Sequence, residues 1–361
     1  MHPDHLPLAR GAPRAYSGAM QVGRFARFAW AVLAWNVGVI LWGAYVRASG
    51  SGAGCGSHWP MCNGEVVPRA PSAQTLVEWT HRATSGVALA LVLALAVLGH
   101  VLHRPDPRPA VADRHRAIRR AGWLSLAFIV SEALVGAGLV LFDLVAHNAS
   151  AKRAVSMAVH LNNTMILLDC LAATAWFASG GRPLAVRARR KVAWIVGAVT
   201  LSLLLLSTTG AVAALGDTLF PARSLAEGLR EDLSPTAHFL VRLRALHPLL
   251  AVITGLVVVV AGATVRALRA ESRGVQNLSR ALTALFFLQL ALGLVNLSLR
   301  APAWMQLVHL LSADAVWIVF VLLGLAALGE ANTERVSASP VHDLGSASSA
   351  RPARSQSLSG W

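Results

Sequence analysis

Long apolar runs alternate with short polar segments along most of the chain, and that alternation predicts its architecture. Eight runs approach or exceed the roughly 20 helical residues that cross a bilayer core: about 28–47, 78–101, 121–142, 154–178, 192–214, 240–265, 281–299 and 304–329. The segments between them differ in charge. Alternate segments, counted from the N-terminus, hold 22 Lys and Arg, whereas the intervening ones hold seven. Basic residues accumulate on the cytoplasmic side of a membrane, so both termini are predicted to be cytoplasmic. The expected fold class is an all-α membrane protein with eight transmembrane helices, the even-numbered ones running from outside to inside.

Composition agrees with this reading. The chain is 55% hydrophobic and 14% charged, with a mean hydropathy of +0.55, which excludes an ordinary soluble domain. A net charge of +15 could suggest nucleic acid, but such proteins gather basic residues on one soluble face with aromatic neighbours. Here they lie between apolar runs, so the lipid bilayer is the expected partner and nucleic acid is not. Residues 1–27, rich in Arg, Pro and Gly, predict a disordered cytoplasmic lead and not a cleaved signal peptide. Residues 330–361, rich in Ser, Ala and Pro, predict a disordered cytoplasmic tail. Arg-rich, acid-poor leads also occur in mitochondrial transit peptides, so a bacterial plasma membrane is the expected location and the mitochondrial inner membrane the alternative.

The two halves read as one unit used twice. Gly43 precedes His81 by about the interval that separates Gly210 from His247. Glu132-Ala-Leu-Val-Gly136 then answers to Gln289-Leu-Ala-Leu-Gly293, and His160-Leu161 to His309-Leu310. This predicts two pseudo-symmetric four-helix bundles, at 28–178 and 192–329, joined by a cytoplasmic linker at 179–191.

Chemistry concentrates where the even-numbered runs begin. Val77-Glu78-Trp79-Thr80-His81-Arg82 opens the second run, and a carboxylate, an imidazole and a guanidinium entering lipid together are expensive unless used. Glu78 and His81, three residues apart, share a helix face. His160, His247 and His309 open the other even runs. Neutral imidazoles on facing helices are the usual axial ligands of a b-type haem, so His81 with His160, and His247 with His309, are candidate iron-binding pairs. Gly136, Gly293, Gly86 and Gly255 are placed to leave room for a flat macrocycle. Arg47, Arg82, Arg242 and Arg244 lie at the depth of haem propionates, which a guanidinium can pair with; snorkelling to headgroups is the alternative. A di-iron carboxylate centre would need a second Glu-x-x-His, and no acid stands three before His247. Glu132, Asp169 and Asp314 also fall inside spans, where acids serve proton movement or helix-to-helix hydrogen bonding. His100, His103 and His115 fall at the inner side and are expected to be solvated; His147 and His238 break the repeat.

The first outer loop holds Cys55 and Cys62 on the side where disulfides persist. A disulfide between them is the first reading, with free thiols or a metal clip as alternatives. A structural zinc site wants four ligands, and only His58 is near. Cys170, inside a span, reads as a packed thiol.

In these residues the chain resembles the haem A synthase family: Gly43-Ala-Tyr-Val-Arg47, the Trp59-Pro-Met-Cys-Asn-Gly64 loop, Glu78-Trp-Thr-His81-Arg82, His160-Leu161, His247 and His309-Leu-Leu-Ser-Ala-Asp314. The likeness spans about residues 25–329. It implies an oxidoreductase that converts a methyl group of haem O to the formyl group of haem A, with His81 and His160 addressing the substrate haem and Glu78 in the chemistry. It also implies haem b held as cofactor by His247 and His309, and Cys55 and Cys62 as the family's loop cysteines. A haem O synthase and a terminal oxidase are the partners that such a pathway implies. Departures are Gly56-Ser57-His58 before Trp59 where an acid is common, no cysteine pair between Asp217 and His238, and Pro248 after His247. The competing classes are a b-type membrane cytochrome that passes electrons without modifying haem, and a transporter built from repeated halves.

Overall fold

The computed structural model describes residues 13–330, with side chains from Gly23 onward. Ten helices follow one another: α1 (Pro13–Ala48), α2 (Ala73–Leu102), α3 (Pro109–Leu141), α4 (Ala151–Ala178), α5 (Arg190–Leu219), the short α6 (Leu225–Asp232) and α7 (Phe239–Arg244), then α8 (Leu246–Leu268), α9 (Arg273–Ser298) and α10 (Ala303–Leu328). Eight spans among them are long and apolar enough to cross a membrane, α7 and α8 together forming one from Phe239 to Leu268. That span is interrupted at Ala245 because Pro248 has no N–H to offer the carbonyl of Arg244 four residues back. Starts are marked in the sequence. Ser72, Ser150 and Ser272 accept the backbone N–H of Thr75, Arg153 and Val275, capping α2, α4 and α9, and Pro109 opens α3 with its donor already missing.

Helices α1, α2, α3 and α4 contact in sequence, with α4 closing back on α1; α5, α8, α9 and α10 contact in the same order, with α10 closing on α5. Helix α4 also packs on α5 and α10, and α1 on α10. A single apolar core therefore runs through both halves, from Phe25 and Ala29 through Leu168 and Leu171 to Phe320 and Leu323. The expected units 28–178 and 192–329 share it, and the whole described bundle to Gly329 forms one body. Helices α4 and α10 lie deepest. Large apolar side chains such as Trp194, Leu201, Leu256 and Leu134 point outward, a surface that lipid solvates and water would not.

Two expectations at the α2–α3 turn and the start of α1 are corrected. The disordered lead was expected to reach residue 27, but α1 begins at Pro13 and Phe25 is buried. Pro at the first helical position presets the turn, and residues 24–28 keep Arg24 and Arg27 outward while Phe25 enters the core. Phe25 meets His103, with ring centroids 4.8 Å apart. His103, expected to be solvated, is 1% exposed; its Nδ1–H donates to the Gly99 carbonyl at 3.2 Å, and His115 packs on its other side at 5.1 Å. Burial pushes its imidazole down to about 4, so it stays neutral at ordinary pH. Residues 1–12 and, beyond Glu330, the expected disordered tail lie outside the described residues.

Without a hydrophobic drive between helices in lipid, close approach through small residues holds such bundles together. At the α2–α3 crossing a Cβ on Gly122 would stand 3.3 Å from Ala96 Cα. Gly122→Leu is expected to wedge these helices apart and lower stability by about 1–3 kcal/mol; thermal unfolding in detergent checks this, with Gly197→Leu, where a Cβ meets nothing within 4 Å, as the silent control.

Candidate functional site

Each of the four histidines faces a glycine of the preceding span. A Cβ on Gly43 of α1 would lie 2.9 Å from His81 Cε1 on α2, and one on Gly210 of α5 would lie 3.1 Å from His247 Cε1 on α8. A Cβ on Gly293 of α9 would lie 3.1 Å from His309 Cε1 on α10, and one on Gly136 of α3 would lie 3.7 Å from His160 Cε1 on α4. The rings fill the space that a side chain would otherwise claim, so the backbone of one helix sets the imidazole of the next. Gly43 and Gly210 were legible only as repeat landmarks. Of the other glycines expected to leave room for a macrocycle, Gly86 faces open space, whereas Gly255 receives the ring of Phe286, 2.9 Å from where its Cβ would be.

Buried nitrogens without a hydrogen-bond partner remain on three of the rings: Nδ1 of His81, of His160 and of His309. The fourth ring is oriented by Thr209, whose hydroxyl lies 3.1 Å from His247 Nδ1. Thr208 beside it accepts from Asn162 Nδ2 of α4 at 2.8 Å, so a polar seam crosses between the halves near the histidines.

The spans carry two further contacts to these rings. Glu132 Oε1 of α3 lies 3.2 Å from His160 Nδ1, and the carboxylate accepts from Asn163 Nδ2 at 2.6 Å and from the Thr164 hydroxyl. Gln289 Nε2 of α9 lies 3.2 Å from His309 Nε2. The sequence placed Glu132 inside a span without joining it to a histidine. The available signal was its shared offset with Gln289 from the paired glycines.

Glu78 is buried, and it turns toward the first loop. Its Oε2 accepts the Cys55 backbone N–H at 2.8 Å, and its Oε1 accepts from Arg82 Nη2 at 2.5 Å. Arg82 Nη1 donates to the carbonyls of His58 and Met61 at 2.6 and 2.7 Å. A disulfide joins Cys55 to Cys62, both buried. Thr75 Oγ1 donates to the Gly54 carbonyl at 2.8 Å, and a side chain at Gly54 would strike the Gln74 backbone. The loop is thus seated on the first two turns of α2, directly before His81.

The arginines expected at propionates are mostly engaged elsewhere. Arg47 of α1 donates through Nη1 to the Ala214 carbonyl at 2.7 Å and Thr218 Oγ1 at 2.6 Å, and through Nη2 to Gln306 Oε1 at 2.8 Å. It ties the first half to α5 and α10. Arg244 is buried, with Nε donating to Asp232 Oδ1 at 2.5 Å and Nη1 facing Asp217 and the Phe220 carbonyl. Arg82 serves the loop. Arg242 is the exposed member of the four. Deeper in the bundle Asp314 is 1% exposed with neither carboxylate oxygen hydrogen-bonded, and Asp169 keeps an unpartnered Oδ1.

Residues 26–321 match the COX15-CtaA family, described as cytochrome oxidase assembly protein. Two Thermus thermophilus proteins named protoheme IX farnesyltransferase are 53% identical over 313 residues, covering 87% of this chain and 50% of theirs. The chain therefore spans about half the length of these relatives. A Bacillus mycoides protein named heme A synthase is 37% identical over 135 residues, 37% of this chain and 39% of its own. With eight apolar spans and a match across most of its length, the chain belongs to the COX15-CtaA family of multi-pass membrane proteins.

Proposed function

We propose that the chain is a haem A synthase, oxidising a methyl group of haem O to the formyl group of haem A. The observation that carries this reading is the set of four imidazoles at repeat-related positions, each facing a glycine of the preceding span. Among the described residues no three His, Cys, Asp or Glu gather as a cage for a bare ion. Two imidazoles across a gap suit an iron whose other four positions a porphyrin fills. The buried, unpartnered Nδ1 atoms of His81 and His309 are fitting donors, because a buried polar atom left without a partner is costly; His160, whose Nδ1 lies beside Glu132, would bind through its Nε2.

In this reading His81 and His160 hold the substrate haem, and His247 and His309 hold haem b. The bound haems supply the iron redox chemistry. The chain's own part is to fix the macrocycle by the ring–glycine contacts, to exclude water, and to place Glu78 where α2 meets the loop. Glu78, Arg82 and the Cys55–Cys62 loop act together: the carboxylate stands three residues before His81 and provides a negative group beside the substrate half. Arg242 is the arginine left to meet a propionate. The matching order of helix contacts in both halves supports a duplicated unit. The excess of basic residues on the segments away from the histidines supports cytoplasmic termini in a bacterial plasma membrane. A haem O-producing enzyme upstream and a terminal oxidase downstream complete the chemistry.

The name of the Thermus relatives points to farnesylation of protohaem instead. Prenyl transfer to a porphyrin side group does not call for axial iron ligands, which the imidazole pairs supply, and the named proteins are about twice the matched length.

Membranes containing the chain, supplied with haem O, are expected to yield a formyl-bearing haem on extraction. The same membranes given protohaem and farnesyl diphosphate are expected to yield no farnesylated haem. Product in the second arm alone would overturn the assignment, and bound haem unchanged in both arms would leave an electron-passing cytochrome. Glu78→Gln, which keeps an acceptor for the Cys55 N–H, is expected to retain the bound-haem absorption spectrum while lowering haem O conversion at least about tenfold, since loss of one oriented acid or base is worth roughly 10²–10⁴ in rate. In a glycine series, Gly43→Ala, Gly210→Ala and Gly293→Ala should reduce haem occupancy of the purified protein. Gly136→Ala, whose Cβ would sit at ordinary contact distance, should leave occupancy near that of the parent.

A further inference from the structure

The two halves differ at one repeat-related position that touches a histidine. Glu132 stands four residues before Gly136, with Oε1 3.2 Å from His160 Nδ1. Gln289 stands four residues before Gly293, with Nε2 3.2 Å from His309 Nε2. Glu132 is not free to swing away. Asn163 donates to one of its oxygens at 2.6 Å and the Thr164 hydroxyl to the other, while the Ser131 hydroxyl donates to Asn163. With both oxygens held, the carboxylate stays beside the ring. His160 Nδ1 and Glu132 Oε1 are at contact distance, 3.2 Å apart.

An imidazole that donates its second N–H to a carboxylate is a more basic iron ligand than one facing an amide, and hydrogen bonding to the axial ligand is one of the levers on haem potential. We propose that Glu132 is a positioning residue that makes His160 the more strongly donating ligand, lowering the potential of the first-half haem, while Gln289 leaves the second-half haem at a higher potential. Electrons leaving the first site then run downhill to the second, so a single carboxylate-to-amide difference separates an oxidising half from an electron-accepting half of the same design. This rests on the assignment of the four histidines as haem ligands.

The test is a spectroelectrochemical titration of the full chain, purified in detergent and reconstituted with protohaem as the probe of both sites. Glu132→Gln is expected to raise one midpoint potential, leave the other in place and keep the haem-to-protein ratio. Gln289→Glu is expected to lower the potential that Glu132→Gln left unmoved, and Glu132→Asp to fall between parent and Glu132→Gln. Resonance Raman spectra should show a weakened iron–imidazole bond in Glu132→Gln, a change that a merely structural loss would not produce at full haem occupancy. Unmoved midpoints in both variants at full occupancy would overturn the proposal while leaving the histidine assignment intact. A parent chain that takes up no haem would overturn both. If Glu132→Gln does not fold, Gln289→Glu decides the matter, since it adds the carboxylate to an otherwise intact protein.

Discussion

An imidazole ring set edge-on against bare helix backbone is the contact around which this bundle is arranged. In lipid, helices gain little from hiding apolar surface from one another, so what fixes their spacing is how closely small residues let them approach. At Gly43, Gly210 and Gly293 the approach is closed by a histidine ring at 2.9 to 3.1 Å from where a Cβ would be. A side chain added at any of these glycines would have to displace the ring. Ring orientation is therefore set by backbone, the least adjustable part of the structure, and holding donors rigidly is what a ligand site needs. The fourth pair is looser, at 3.7 Å, and there a carboxylate stands beside the ring instead.

Much of this could be read in the sequence. Eight apolar runs announced eight spans because a bilayer demands about 20 residues of satisfied backbone at a time, and the structure places a long helix on each. The histidines near the even-numbered span starts stood out because polar groups at that depth are expensive, and the structure sets each against a glycine of the preceding span. What could not be read is which partner each polar group would find. Arg47 and its partners Ala214, Thr218 and Gln306 are more than 160 residues apart in the chain, and no local pattern reports that. That α1 reaches back to Pro13 was not legible because a basic, Pro- and Gly-containing stretch looks like a lead until Phe25 is seen to need burial against His103.

The fate of the arginines follows from the same economy of polar groups. A guanidinium carries five donors, and at membrane depth each must find an acceptor or reach water. Carbonyls at the ends of helices are unpaired and nearby. Arg82 takes two carbonyls of the loop and Arg244 takes acids and the Phe220 carbonyl after α5, while Arg47 shares the Ala214 carbonyl with the Thr218 hydroxyl in the last turns of α5. These side chains hold together the end of the bundle that carries the Cys55–Cys62 loop. Arg47, joining α1 to α5 and α10, does so across the boundary between the halves, so the two histidine pairs are kept in one frame.

Glu78 ties the first loop to the start of α2. Its two oxygens have different owners: one accepts the Cys55 N–H and the other meets Arg82, which in turn gathers the carbonyls of His58 and Met61. The loop and the first turns of α2 are thereby one rigid piece, and His81 lies within that piece's next turn. Removing the carboxylate would leave the Arg82 cation and a backbone donor buried without their acceptor, a strongly unfavourable state, so the negative group is held in place by the same contacts that seat the loop. A carboxylate fixed in this way is preorganised: the Cys55 N–H and the Arg82 guanidinium set its position.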